Sequence, residues 1–242
     1  MHKFMRALHN YLGLILFIQI GLWFLSGLVM AYLPIEEVRG SHLRQRVNTP
    51  WQQATVSPQQ VLSTFDDNAT LRLTHRLQTT PSALLSTPVY QVNSNDTLFR
   101  FNAVNGEALL PLEKSTIASL AEAQYQGEGA IVDSVLLSTL PQEVQNLSAP
   151  LWQVTFDDDL ETRFYIDPNT GAVTRVRTNT WRLFDFMWML HIMDYKDRSN
   201  FNSPLLIAFS ASAFLFTLTG VVLLYRRFKP RRRRSIFKGQ SF

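Results

Sequence analysis

A chain of 242 residues that is 46% hydrophobic and 17% charged, with a formal charge of +4 and no cysteine, has no route to disulfides, iron–sulfur clusters or thiolate metal sites. Its apolar residues gather at the two ends, the pattern of a membrane protein with a soluble insert. Ten of the 23 Lys and Arg flank those ends and all 19 Asp and Glu lie between them, so the insert is net acidic and is not a nucleic-acid surface.

In chain order, the first signal is R-A-L-H-N-Y-L-G-L, from Arg6 to Leu14, which runs into an uncharged stretch from Tyr11 to Tyr32. That stretch is long enough for a helix to cross a bilayer core of about 30 Å. It is too long for a signal-peptide core and no small-x-small cleavage site follows before Pro34, which predicts an uncleaved anchor. His9 stands at its entry, and on position alone it is an interfacial histidine. Beyond Tyr32, Pro34 and the run E-E-V-R-G-S-H-L-R-Q-R predict a polar stalk with His42 in solvent. Ser57-Pro58 predicts a short helix with serine as cap and proline at the first helical position. From Ala69 to Leu77 the alternation predicts a strand with Leu71, Leu73, His75 and Leu77 on one face and Arg72 and Arg76 on the other. Two more strands follow at P-V-Y-Q-V-N and L-F-R-F-N-A-V-N-G-E-A-L, the latter folding back at Asn105-Gly106.

The pattern then repeats. A helix is predicted to open at Ser115, followed by strands at A-I-V-D-S-V-L-L-S, L-W-Q-V-T-F and R-F-Y-I-D-P-N-T-G-A-V-T-R-V. Aligning the two strand–turn–strand units places Gly106 on Gly171 and Asn102 on Asp167, so the insert reads as two tandem α+β modules. Trp181, Phe184, Trp188 and His191 have helical 3-4-3 spacing and predict an aromatic stripe ending in histidine. The second uncharged run, from Pro204 to Tyr225, predicts a second span, with Ser210, Ala213, Thr217 and Gly220 as a small-residue seam. A basic tail follows: Arg226, Arg227, Lys229, Arg231, Arg232, Arg233, Arg234 and Lys238. Lys and Arg outside both spans place both termini in the cytoplasm and the insert in the periplasm. The predicted divisions are residues 1–33 for the N-terminus and first span, 34–112 and 113–179 for the two modules, 180–203 for the aromatic helix and loop, 204–225 for the second span and 226–242 for the tail.

The unit F/Y-x-I/F-D/N-x-x-x-G resembles the end of a PepSY module. Two such units between the spans, with R-x-L-H-x-x-L-G-L at the first and L-H and later L-T-G at the second, resemble the PepSY-associated transmembrane family over nearly the whole chain. Many members have four spans, and this chain most resembles the small two-span ferric reductases associated with bacterial iron uptake. The resemblance implies haem b bound through His9 and His191, the histidines at the family's motif positions; His2 matches no family motif and is a reserve candidate only by its place near the inner surface. His9 and His191 are expected at opposite membrane faces and cannot share one iron. A homodimer could pair each with its own copy and build a four-helix bundle. The implied reaction is reduction of ferric iron or a ferric chelate at the periplasmic side of the inner membrane, in support of a ferrous-iron transporter. There is no G-x-G-x-x-G fingerprint, so a quinol or reduced flavin is the expected electron donor. Asp157, Asp158, Asp159 and Glu161 offer hard oxygen ligands for iron, beside the plainer reading of a solvated turn. No nucleophile–base pair or H-E-x-x-H supports hydrolysis. The competing expectation is non-enzymatic: a membrane-anchored PepSY binding or regulatory module, or an accessory subunit of an iron transporter.

Overall fold

The computed structural model describes residues 2–229, so Arg231, Arg232, Arg233, Arg234 and Lys238 lie outside the described residues. The first apolar run forms α1 (His2–Tyr32), and its buried positions, among them Leu16, Gln19 and Ser26, recur at helical spacing along one stripe. The other faces of α1 are apolar and exposed, as lipid-facing surfaces are. The chain divides into two compact units: residues up to 31 with those from 186 onward, and residues 32–185.

In the second unit, the segment after Tyr32 is not a free stalk. It forms α2 (Ile35–Val38) and a short 3-10 turn at Ser41–Leu43, with Val38 and Leu43 buried. Gly40 adopts φ +64°, and a Cβ there would stand 2.5 Å from Val176, so glycine is what allows this close approach. His42 is exposed as expected. Next, α3 (Pro58–Leu62) begins at the predicted place, but the Ser57 side chain makes no capping hydrogen bond.

The first sheet is antiparallel, β1 (Thr70–Thr80), β2 (Ala83–Ser94) and β3 (Thr97–Asn102) in sequence order. Leu71 joins a small core with Val61, Tyr90, Val92 and Ala103, whereas Leu77 belongs to a second, larger core. Leu73 falls between the two and is 41% exposed, against the alternation's expectation. The helix predicted from Ser115 is α4 (Lys114–Gln124), begun one residue earlier with Glu113 at the N-cap. A second antiparallel sheet follows in sequence order, β4 (Ile131–Leu137), β5 (Leu151–Phe156), β6 (Arg163–Ile166) and β7 (Val173–Arg177).

The aligned turns prove to be the same turn. Gly106 N–H donates to Asn102 O and Asn102 N–H to Glu107 O, while Gly171 N–H donates to Asp167 O and Asp167 N–H to Ala172 O. Both glycines have positive φ, +80° and +70°, and both Asn102 and Asp167 accept a backbone N–H two residues ahead on their side chains. The two modules share one core nonetheless. Ile117, Leu120 and Ala121 of α4 pack with Leu77 of the first sheet and with Val154, Phe164 and Ile166 of the second. Leu77 N–H donates to Thr170 O and Leu112 N–H to Pro168 O, which ties the first module to the second module's turn.

The chain then enters α5 (Asn179–Ile192), whose first turn is anchored by Arg182 to Glu143 at 3.2 Å. Glu143 also accepts from the Tyr165 hydroxyl and pairs with Arg163 at 3.4 Å. After a loop, α6 (Pro204–Phe228) forms the second span, its Ser203 hydroxyl capping Leu206 N–H. By length and apolarity, Lys3–Tyr32 and Pro204–Phe228 both suit a membrane crossing.

Candidate histidine sites of the helix unit

His9 sits on the packed stripe of α1 and stacks on Phe216 of α6, ring centroids 4.2 Å apart and planes within 8°. Its Nδ1 lies 2.9 Å from Thr219 Oγ1 and 3.2 Å from Phe216 O. A carbonyl can only accept, and the single Thr219 hydroxyl hydrogen is already directed to Phe216 O at 2.7 Å. Nδ1 therefore carries the proton and donates, which leaves Nε2 with its lone pair. Gly220 supplies the space: a Cβ there would come within 3.2 Å of His9 Cε1.

His191, near the end of α5, repeats the arrangement against α1. Its Nδ1 is 3.0 Å from Ser26 Oγ, and Ser26 donates its own hydrogen to Leu22 O at 2.7 Å. With the Ser26 hydrogen on Leu22 O, Nδ1 is the donor in this contact, and Nε2 has no protein partner among the described residues. Gly27 lies beside the ring, where a Cβ would be 3.7 Å from His191 Cε1. The end of α5 is held by two further α1 side chains. Trp23 Nε1 donates to His191 O at 2.8 Å, and the buried Gln19 Nε2 lies 3.5 Å from Leu190 O. These are terminal carbonyls that the helix itself leaves without partners.

The same pairing thus occurs twice: a Leu-His on one helix meets a Leu-(Ser/Thr)-Gly on its neighbour, Leu25-Ser26-Gly27 for His191 and Leu218-Thr219-Gly220 for His9. Among the described residues no protein group bonds Nε2 of either ring. A histidine whose Nδ1–H is fixed by a neighbour and whose Nε2 is bare is arranged as metal-bound histidines are. Ser26 lies 17 residues beyond His9 on α1, about 25 Å at the helical rise, so the two imidazoles serve separate positions.

A family model described as PepSY-associated TM region matches residues 6–241, from the arginine of the first histidine motif to beyond the second span. The chain belongs to this PepSY-associated membrane family. No curated protein and no solved structure matches it.

Within this PepSY chain, Gly13 and Gly27, which share a face with His9, each receive a ring from a neighbouring helix, Phe216 and His191 respectively. Of the small-residue seam, Ala213 and Gly220 are half-buried while Ser210 and Thr217 face outward. The acidic run forms the β5–β6 turn, and two of its carboxylates are engaged locally. Asp157 accepts Ala130 N–H, and Asp158 accepts Thr162 N–H, the Thr162 hydroxyl and Tyr125 OH. Asp159 is exposed, and Glu161 stands 3.9 Å from Arg182. Among the described residues no three His, Asp or Glu side chains converge on a metal-sized space. His75 is half-buried with Trp51 edge-on at 6.4 Å, and burial holds its imidazole below the ordinary value against the opposing pull of Asp167.

Proposed function

We propose that the protein is a haem b-containing ferric reductase of the bacterial inner membrane, with both termini cytoplasmic and the PepSY modules periplasmic. It would pass electrons across the membrane to ferric iron or a ferric chelate and so feed a ferrous-iron transporter. The observation that carries this reading is the twice-built histidine, Nδ1 within hydrogen-bond reach of a hydroxyl and Nε2 without a protein partner among the described residues, at two levels of one helix bundle. This donor chemistry fits haem iron, for which neutral imidazole is a strong axial ligand. Bound haem b would supply a one-electron carrier that needs no proton to be exchanged at the iron.

The chain's own residues do the rest. Thr219 and Ser26 fix the tautomer, Phe216 and Gly220 fix the plane of the His9 ring, and Trp23 fixes the helix end that carries His191. Each position offers one imidazole, and a twofold homodimer would bring a second copy of each to complete a bis-histidine pair and a four-helix bundle. The exposed apolar faces of α1 and α6 leave room for that partner. A quinol or reduced flavin is the donor in this scheme. Its oxidation releases two electrons, which reduce two ferric ions to ferrous, and two protons, which pass to water.

The test is a dithionite-reduced minus oxidised spectrum of the purified protein, beside His9→Ala and His191→Ala. A b-type spectrum that each substitution diminishes is the expected result. A colourless protein from cells with ample haem would replace this reading with a PepSY binding or regulatory module or a transporter accessory subunit.

A further inference from the structure

The insert is acidic overall, yet five of its thirteen basic residues line one cleft of about 660 Å³ in the unit of residues 32–185. Arg39, Arg44, Arg46, Arg175 and Arg177 face it, with Glu36 as the lone carboxylate. That carboxylate does little to neutralise them, since Glu36 lies 3.9 Å from Arg39 in a pair that is two-thirds exposed on both sides.

The arginines are placed by the fold. Arg44 Nη1 donates to Val173 O, and Arg177 is buried, donates to Glu143 O and lies 4.0 Å above the Trp181 ring. Arg46 and Arg175 are exposed at the cleft, and both act on Arg44 as like charges. Burial first, then Arg46 and Arg175, pushes the Arg44 guanidinium below its ordinary value; burial, then Arg175, pushes Arg177 down to about 10 against the opposing pull of Glu143 and Asp185. Like charges gathered in one concavity cost stability unless an anion joins them, and guanidinium forks match carboxylate and phosphate oxygens two at a time. Trp181 and Phe184 add an apolar wall to the same cleft.

We propose that this arginine cleft binds a small polyanion carrying two or more carboxylate or phosphate groups. A polycarboxylate that chelates ferric iron belongs to this class, and its role as the reductase's substrate rests on the function proposed above; the binding itself does not. A lipid headgroup that carries two phosphates offers the same oxygens from another source.

The experiment is calorimetric titration of the full chain, in nanodiscs of zwitterionic lipid, with citrate and with pyrophosphate, and with acetate as the single-charge control. Citrate or pyrophosphate is expected to bind at least tenfold more tightly than acetate and to weaken with added salt. Arg46→Gln with Arg175→Gln is expected to weaken binding a further tenfold at an unchanged melting temperature, and Arg44→Gln gives a second variant should the first not fold. A parallel arm measures cardiolipin, whose headgroup carries two phosphates, retained by wild-type and variant protein from mixed-lipid nanodiscs. Retention lost in the variant, without citrate or pyrophosphate binding, assigns the cleft to a headgroup. Multivalent anions that bind no better than acetate, with lipid retention unaltered, overturn the proposal, as does binding that the variants leave intact. Haem content is read on the same samples. Binding without haem upholds the cleft and removes the reductase, and haem without binding does the reverse.

Discussion

At the scale of single residues, the distinction that matters is between hydroxyls that serve a histidine and hydroxyls that serve only their own helix. Ser212 and Thr217 donate to carbonyls four residues back in α6, a common use of hydroxyls in spans, and Thr219 and Ser26 donate backward too while also receiving a histidine Nδ1–H. His9 and His191 were legible in the sequence because they sit in recognisable motifs. Their partners were not, because nothing in the composition of α6 separates Thr219 from Thr217 until α1 is packed against it. Thr219→Val is expected to weaken haem binding by about 10- to 100-fold, as loss of an outer-shell partner does, while Thr217→Val leaves haem titration unchanged. Equal haem binding by both variants would deny the hydroxyl its positioning role. His75 gives a second test at this scale. Its folded value lies below the ordinary one, so below about pH 6.5 the unfolded chain takes up a proton that the folded chain resists. The melting temperature should fall between pH 7 and pH 5, and fall less in His75→Gln.

At the scale of elements, the repeat of strand, turn and strand was readable because the turn chemistry is local: a side-chain acceptor at Asn102 or Asp167, and a glycine four residues on whose positive φ suits no other residue as well. What surrounds each turn was not readable. A Cβ on Gly106 would meet its nearest atom, of Val56, at 3.9 Å, whereas one on Gly171 would fall 2.5 Å from Leu120 and 3.0 Å from Leu112, inside the core shared by both modules. Gly106→Ala should therefore cost about 1–2 kcal/mol for the left-handed backbone alone. Gly171→Ala should cost a further 1–3 kcal/mol or so for overpacking, seen as the larger fall in melting temperature. The exposure of Leu73 and the packing of the segment after Tyr32 have the same cause. Alternation and polarity describe a strand or loop by itself, and the partition of the insert into separate cores is a tertiary outcome.

At the scale of the whole molecule, two spans at the ends of the chain and an acidic insert between them followed from hydropathy and charge alone, and the family match agrees with that organisation. The number of subunits did not follow, because in the proposed scheme each histidine pairing needs a surface that one chain does not contain. Its arithmetic is testable. If His9 meets the partner's His9 and His191 the partner's His191, two chains share two haems, so the purified protein carries one haem per chain. His9→Ala and His191→Ala should each halve that ratio, and the double variant should carry none. In-chain ligation by His9 or His191 with a different second ligand could also leave half the haem after one substitution, so the decisive quantity is mass. Light scattering of the detergent-solubilised wild type should give a dimer, and dilution that dissociates it should release haem in step with the loss of dimer. A monomer that retains one haem per chain would exclude pairing across a twofold axis and move the search for second ligands back into the single chain.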